Sequence, residues 1–470
     1  MNHEGKALNN RKQYTFGVMK TDEIFASGKM SSVIWKMAVP AIAAQLVNLL
    51  YSIVDRIYIG HIPDIGTTAL AGVGVCNAII ILISAFALIT GGGCAPLASI
   101  ALGSGRKKRA SRMMNNGFVI IMVLGVILMV IFGLTIDPML RLVGASDATL
   151  PYAHTYLSIY LLGTLFVMAA IGMNPFLNVQ GHPGLAMSTV ILGAVLNIVL
   201  DPVFMFGFGM GVAGAAWATI LSQFASALWI ILFLVSKEAS LRLCFADMKP
   251  NGEIMHKIFA LGISPFVMAS TESIIGFVMN GILVKYGDLY VSVLTIMSSC
   301  MQMIAVPLNG FQNGASPVIS YNYGHGSPDR VKEGFKVIFL NMTLFNCFMS
   351  LMMIFFPGFF AALFTSDATL IAGVQKAMPL FMAGMTVFGM QRACQTMFVA
   401  LNQPGVSLFI ALLRKIFLLV PLAFLLSHFF GAMGVFGAEA AADAFAAITC
   451  ILLFRHIFPG VLQKMKAQQA

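Results

Sequence analysis

Long apolar runs dominate the sequence and limit what the chain can fold into. A helix crosses the hydrocarbon core of a bilayer with about 20 apolar residues, and backbone polar groups in lipid must be satisfied within helices or closed barrels. We place about twelve such runs, near 37–60, 68–95, 113–136, 152–178, 184–208, 212–235, 257–284, 290–320, 337–360, 372–400, 405–429 and 434–457. Only 10% of the 470 residues are charged, whereas a soluble domain has about 25%. The sequence predicts an all-α integral membrane protein with about twelve transmembrane helices.

Basic residues are distributed unevenly over the segments that connect these runs. When alternate connections are assigned to opposite sides, the side of the N-terminus has 21 Lys and Arg and the other side has four. The positive-inside rule then predicts a multi-pass membrane protein with both termini in the cytoplasm. The polar N-terminus lacks the apolar core and cleavage site of a signal peptide. The run RKKR at 106–109 is expected to lie beside anionic lipid, and no nucleic-acid partner is expected.

The chain repeats itself with a shift of about 220 residues. The segment SDATL occurs at 146–150 and at 366–370, and GCAPL, GHPG and GVAGAA have counterparts in GASPV, NQPG and GVFGAE, in the same order. Each half has six spans, so the halves form two six-helix bundles related by a pseudo-twofold axis along the membrane normal, a known transporter design. The predicted parts are a cytoplasmic segment 1–36, bundles 37–236 and 257–458, a cytoplasmic linker 237–256 and a tail 459–470.

The residues that usually carry enzyme chemistry form no pattern here. Seven cysteines are scattered without a CxxC pair, which indicates neither disulfides nor a zinc site. No HExxH or GxSxG motif is present in the sequence. We therefore expect neither an enzyme nor a cofactor.

Carboxylates within the apolar runs are the main candidates for function, because a charge at membrane depth is costly unless it faces protein or water. Asp55 follows Lys36 by 19 residues and Asp201 follows Pro183 by 18 residues, so both lie at a similar depth of the first bundle. Asn197 shares a helix face with Asp201, and Thr219 enters from the same side. Such a cluster can hold a proton or a small hard cation such as Na⁺. The alternatives are a structural role for Asp201 at a kink before Pro202 and an ion pair between Asp55 and its neighbour Arg56.

The second half carries a different set of charges. Where the first half has NIVLDP, the second has IFLLVP at 416–421, so the acid is absent. Arg414 and Asp443 are predicted at comparable depth, where they either pair or contact substrate. Glu272 has no close sequence partner, which favours it as the counter-charge of a cationic substrate.

Several of these segments resemble the multidrug and toxic compound extrusion (MATE) family, in its bacterial drug-efflux and DNA-damage-inducible-like branch. The resemblance rests on MAVPAIAAQLVNLLYSIVDRIYIGH (37–61), GGCAPLASIALGSG (92–105), NIVLDPVFMFGFGMGVAGAAWAT (197–219), GASPVISYNYGHG (314–326) and LLRKIFLLVPL (412–422). It implies two six-helix bundles around a central cleft and export of amphipathic organic cations driven by H⁺ or Na⁺. By position, the cation site would comprise Asp55, Asn197, Asp201 and Thr219. An acid that some members carry on the tenth helix is missing, and Gln391 and Arg392 stand in that region.

The function we expect is therefore cation-coupled antiport by a monomer that contacts small organic cations and membrane lipid. The candidate substrate-cleft residues are Glu272, Gln45, Tyr51, Gln312, Arg414 and Asp443. The alternatives are a flippase of lipid-linked oligosaccharides, an exporter of a specific metabolite with the same fold, and a membrane enzyme or receptor. A flippase cleft should be more basic, and few basic residues lie within the spans.

Overall fold

This computed structural model describes residues 24–467, without the side chains of Ser273 and Phe277. Most of these residues are in helices. Ten helices in this range are long and apolar enough to span a membrane, and a bent pair, Leu150–Leu162 with Thr164–Val179, makes an eleventh span. The 64-residue run Pro404–Ala467 turns at Gly431 and so supplies two. The predicted all-α fold with about twelve spans is confirmed. The predicted segment 1–36 and tail 459–470 lie partly outside the described residues.

We label the twelve spanning segments of the described chain α1 to α12. They are α1 Met30–Gly60, α2 Gly66–Gly103, α3 Lys107–Leu134, α4 Leu150–Val179, α5 Pro183–Gly207, α6 Val212–Val235, α7 Gly252–Tyr286, α8 Asp288–Gly324, α9 Pro328–Phe355, α10 Ala368–Ala400, α11 404–430 and α12 432–467. Short helices at Ile136–Val143, Phe245–Asp247 and Pro357–Ala362 lie between them. Segments of π-helix interrupt α2 at Ile89–Cys94, α5 at Val203–Gly207 and α11 at Leu413–Leu419.

Several helices extend beyond the apolar runs that predicted them. The first begins at Met30 rather than 37, α7 begins at Gly252 rather than 257, and α12 continues to 467 rather than 457. Hydropathy marks where a helix leaves lipid, whereas the helical hydrogen bonds continue through polar residues at the ends. The predicted linker thus contains the first turn of α7, and the bounds of the two bundles remain a prediction.

Helix packing reproduces the internal repeat. Exchanging the halves maps α1 on α7, α2 on α8 and α5 on α11. Within the first half α1 packs on α5, and within the second α7 packs on α11. Between the halves α1 packs on α8, and α2 packs on α7. These pairs interchange under the same mapping, as expected for two bundles related by a pseudo-twofold axis.

The turn before the last helix of each half also recurs. Gly211 has φ 54° and ψ −130°, and Gly431 has φ 59° and ψ −143°. This region of backbone space is open almost only to glycine, because a Cβ would clash with the backbone. The duplicated sequence thus places the same sharp reversal in both bundles.

The two bundles meet most closely at the side that carries the excess of basic residues. A Cβ added at Gly324 would lie 2.0 Å from the carbonyl oxygen of Ile100, and one at Gly103 would lie 2.0 Å from that of Tyr321. The Ser99 hydroxyl also donates to the Pro317 carbonyl at 2.8 Å, which joins α2 to α8. Contacts this tight close the space between the bundles on this side.

The segment between the halves is fixed to the first bundle. Asn115 on α3 donates to the Arg242 carbonyl at 2.8 Å and accepts from the Cys244 amide at 2.8 Å. Asn116 accepts from the Asn251 amide at 2.9 Å. Two buried asparagines therefore satisfy backbone groups of the connection, which holds the start of α7 beside α3.

Candidate functional site

Four polar side chains that the sequence predicted to meet do meet inside the first bundle. The carboxyl groups of Asp55 on α1 and Asp201 on α5 lie close to each other. The Asn197 amide lies 3.3 Å from Asp201 Oδ1 and 3.4 Å from the Thr219 hydroxyl on α6. Asp201 is fully buried and Asn197 is 2% exposed. Their location is as predicted, and their role as a cation site remains a prediction.

Backbone geometry explains how Asp201 reaches this position. It precedes Pro202, and the helix continues as the π segment Val203–Gly207. Proline has no amide hydrogen to donate to the preceding turn, and π segments insert an extra residue that alters the direction of side chains. The acid therefore lies where α5 is least regular and faces α1.

The contacts of the two acids bear differently on their structural alternatives: the ion pair of Asp55 with Arg56 is not formed, whereas Asp201 accepts from Asn197 at the irregular part of α5, as a structural role would also require. Arg56 forms no ion pair with Asp55 among the described residues; the Arg56 side chain is exposed, while Asp55 faces Asp201. The helix does not end at Asp201. The hydrogen-bond partners found for Asp201 are side chains rather than backbone groups of a cap.

Tyrosine hydroxyls complete this N-lobe cluster, by which we mean Asp55, Asn197, Asp201, Thr219 and the tyrosines beside them. The Tyr156 side chain lies close to Thr219, and Tyr160 stacks on Tyr156 with ring centroids 6.2 Å apart. Tyr51, predicted as a cleft residue, lies close to both carboxylates. The sequence analysis missed Tyr156 and Tyr160, although their spacing of four residues on one helix was a usable signal.

Three oxygen atoms of the cluster have no hydrogen-bond partner. They are Asp55 Oδ1, Asn197 Oδ1 and Asp201 Oδ2, all buried. Buried polar atoms are nearly always satisfied, so each exception needs an explanation. A proton shared by the carboxyls or a Na⁺ bound through oxygen would satisfy them, since carboxylate and amide oxygens are ligands of hard cations. Within residues 24–467, no set of three or more His, Cys, Asp or Glu side chains forms a metal site of another type.

The acids of the second bundle are paired with bases. Glu272 on α7 accepts from Lys415 on α11, and Lys415 also donates to the Met268 carbonyl at 3.0 Å. Arg414 binds Asp443, and its Nη2 lies 3.1 Å from Glu439 Oε1. Glu272, which has no close partner in the sequence, is paired with Lys415 because α7 and α11 are distant in sequence but adjacent in the bundle. Its role as the counter-charge of a substrate remains a prediction.

Exposure separates the substrate-cleft candidates of this bundle. Arg414 is 6% exposed and Asp443 fully buried, so both lie inside the bundle in this conformation, and their role in the cleft remains a prediction. The side chain of Glu272 is 55% exposed, although it faces Lys415 and the bundle interior. Glu272 is therefore the least buried member of these ion pairs.

Gln45 and Gln312 lie where the bundles approach each other. Both are half-buried. Gly310 and Gly314, on either side of Gln312, pack against the backbone of α1 at residues 37–42. Gln45 is one turn beyond this contact, so both side chains are at the closed end of the space between the bundles.

Two bundles with packed helix pairs exchanged by a pseudo-twofold axis, and polar side chains inside each bundle, are a design known from membrane transporters. The family model MatE matches residues 40–203 and 266–425, one segment in each half. The chain belongs to the MATE family of transporters.

Relatives and solved structures agree over nearly the full length. The multidrug export protein MepA of Staphylococcus aureus strain N315 is 23% identical over 437 residues, covering 93% of this chain and 96% of MepA. A MATE transporter of the MOP superfamily in an outward-facing conformation matches with a TM-score of 0.87 and 23% identity, covering 95% of this chain and 99% of that one. A MATE protein in a bent conformation matches with a TM-score of 0.89 and 23% identity, covering 96% and 100%.

Proposed function

We propose that the protein is an antiporter that exports amphipathic, mostly cationic organic compounds and takes up H⁺ or Na⁺ in exchange. The observation that carries this proposal is the buried pair of carboxyls, Asp55 and Asp201, with unpartnered oxygens. Adjacent carboxylates repel each other, and a proton or Na⁺ between them relieves the repulsion. The similarity to MepA, a multidrug export protein, supports the substrate class.

Coupling follows if the ion binds the two conformations of the transporter with different affinity. In the conformation closed at the basic side, the cluster takes up the ion from the opposite side of the membrane. Neutralising one carboxylate changes the charge of the first bundle beside the irregular α5. The bundle then favours release of the drug and return to the other conformation. The basic side is the cytoplasm in this proposal, and the protein acts as a monomer in the bacterial cytoplasmic membrane.

The test is drug uptake into everted membrane vesicles under a pH gradient or a sodium gradient, imposed one at a time. We expect uptake with one of the two gradients and its loss in Asp201→Asn, because the variant cannot exchange a proton or bind Na⁺ as a carboxylate. The matched control is Asp147→Asn, an acid that is 89% exposed in a loop. Gradient-driven uptake by Asp201→Asn at the normal rate would contradict the proposal.

The second candidate is a flippase of lipid-linked oligosaccharides, because the second bundle contains three basic side chains that could bind an anionic head group. They are Arg392, Arg414 and Lys415. Arg414 and Lys415 are buried with acids, which leaves few bases for a pyrophosphate group. Vesicle assays separate the two functions. Lipid translocation without drug-dependent ion movement would replace the antiporter by the flippase.

A further inference from the structure

A cavity lined by basic side chains lies on the side of the molecule that carries the excess of Lys and Arg. It has a volume of about 530 Å³ and is formed by the residues around the starts of α3 and α7. Ligand sites in proteins commonly have volumes of this order. Among the described residues that line it, Glu253 is acidic and five are basic, namely Arg106, Lys107, Lys108, Arg109 and Arg112. We call it the basic cavity.

Two of the five bases have acidic partners. Arg109 Nη2 lies 3.1 Å from Glu253 Oε1, and Glu253 also binds Lys257 on the next turn of α7. Arg112 Nε lies 3.5 Å from Asp247 Oδ1. When these partners are included, the two acids do not neutralise the bases around the basic cavity.

The other three bases have no acidic partner among the described residues. Lys107 and Lys108 are exposed and take part in none of the ion pairs found in this part of the chain. Arg106 Nε donates to the Ser104 hydroxyl, a neutral partner, at 2.9 Å. A concave surface lined by charges of one sign raises the local concentration of the opposite ion. The basic cavity is therefore suited to an anion.

The fold itself does not require this excess of bases. Exchange of the halves maps α3 on α9, and both helices begin on the basic side. The first begins with KKRASR at 107–112, which has four bases and no acid, and the second begins with PDRVKE at 328–333, which has two of each. The positive-inside rule applies to both helices alike, so it does not explain the difference between them.

The unpaired lysines lie at the height of lipid headgroups. The apolar run of α3 begins at 113, five residues after Lys108 and six after Lys107. At 1.5 Å per residue, the two lysines are about 7–9 Å beyond the apolar run, and the headgroup layer on each side of a bilayer is roughly 5–8 Å thick. Flexible lysine stems let the ammonium groups adjust within that layer.

An exposed aromatic ring lies beside the basic cavity. Phe245 is 90% exposed, and no large apolar side chain in residues 24–467 is more exposed. It begins the short helix Phe245–Asp247, whose last residue binds Arg112. Aromatic rings with basic neighbours are typical of surfaces that enter the interface of a bilayer. The ring and the height of the lysines together favour a phospholipid over a soluble phosphate.

We propose that the basic cavity binds the headgroup of an anionic phospholipid. The phosphate lies toward Arg106, Lys107 and Lys108, and Phe245 enters the surrounding headgroup layer. Basic pockets beside transmembrane helices are suited to such headgroups. The site is separate from the N-lobe cluster, and the inference does not depend on the proposed export function.

The test is lipid binding to the purified full-length protein in detergent, measured by native mass spectrometry. The ligands are phosphatidylglycerol, phosphatidylcholine with the same acyl chains, and glycerol 3-phosphate, which has no acyl chains. We expect phosphatidylglycerol to bind most tightly. The triple variant Arg106→Gln, Lys107→Gln, Lys108→Gln should weaken its binding on the order of a hundredfold, because each base near the surface contributes about fivefold. Binding of phosphatidylcholine should change by less than about twofold.

A matched control removes the same charge elsewhere on the same side. The triple variant Lys332→Gln, Lys336→Gln, Arg455→Gln changes three exposed bases of α9 and α12 and should leave the preference for phosphatidylglycerol unchanged. If the cavity triple variant is not recovered as folded protein, Lys107→Gln with Lys108→Gln carries the test. This pair changes two exposed side chains without ion pairs and should weaken binding about 25-fold.

A further variant distinguishes a lipid from a free phosphate. Phe245→Ser should weaken binding of phosphatidylglycerol about fivefold and leave that of glycerol 3-phosphate unchanged. Equal losses in the cavity variant and the control variant would reduce the effect to general attraction between charges and overturn the site. Binding of glycerol 3-phosphate as tight as that of phosphatidylglycerol would overturn the assignment to a lipid.

Discussion

Arg414 shows how one residue decides the stability of a bundle interior. Its guanidinium serves two carboxylates, Glu439 and Asp443, which are four residues apart on α12. All three residues are at most 6% exposed. Burial of an ion pair adds little net stability, but removal of one member leaves a buried charge without compensation.

Arg414→Gln should therefore destabilise the protein by about 3–5 kcal/mol. The measurement is thermal unfolding in detergent, followed by loss of the monodisperse peak. A double variant, Arg414→Gln with Asp443→Asn, should recover part of the loss because one uncompensated charge is removed with its partner. Arg455→Gln, an exposed arginine on α12, serves as the control. A melting temperature equal to the wild type in Arg414→Gln would show that the triad is not ionised as described.

The reversals that precede α6 and α12 illustrate how an element depends on a single backbone conformation. Gly431 interrupts 64 residues of helix with a φ of 59°. Its surroundings leave room for a methyl group, since the nearest atom to an added Cβ is a Tyr286 ring carbon at 3.6 Å. The constraint is thus in the backbone and not in the packing.

Gly431→Ala should cost about 1–3 kcal/mol through this backbone strain alone. The comparison is Gly133→Ala in the regular helix α3, where an added Cβ meets no atom within 4 Å and where alanine should be neutral or stabilising. Both are measured by thermal unfolding of the detergent-solubilised protein. Equal melting temperatures for the two variants would refute the strain argument.

The whole molecule is closed at one side by a segment that touches both bundles. Ile24 packs over Gly181 of the first bundle. The buried ring of Phe25 lies 5.4 Å from that of Tyr321 on α8. The Phe25 carbonyl accepts from Arg330 at 2.9 Å and from Asn322 at 3.1 Å, and the Gly28 carbonyl accepts from Arg330 at 3.0 Å. Residues 24–28 therefore connect the two bundles and stabilise the conformation that is closed here.

Arg330→Gln should shift the population toward opening on this side, because the variant loses the bonds to three backbone carbonyls, those of Phe25, Ser27 and Gly28. Spin labels at the exposed positions Lys107 and Asp329, one on each bundle, would report a larger fraction of long distances. Lys332→Gln, an exposed base on the same helix, is the control. Distances that are the same in wild type and Arg330→Gln would show that this segment does not stabilise the closed side.

The sequence by itself determined the spans, the duplication and the depth of the first-bundle acids. Hydropathy measures how favourably each residue transfers from water to lipid, and each helix satisfies its own backbone hydrogen bonds. These features can therefore be predicted without knowing which helices are adjacent. Because a helix rises 1.5 Å per residue, counting from the helix starts placed Asp55 and Asp201 at the same level.

Only the tertiary structure decided which side chains become partners. Three examples are the pairing of Glu272 with Lys415, the bond from Arg392 to Asn309 and the proximity of Tyr156 to Thr219. Each depends on which helices are adjacent and on how each helix is rotated about its axis. Residue spacing fixes the height of a side chain, but rotation and adjacency come from the packing of helices that are hundreds of residues apart in the chain.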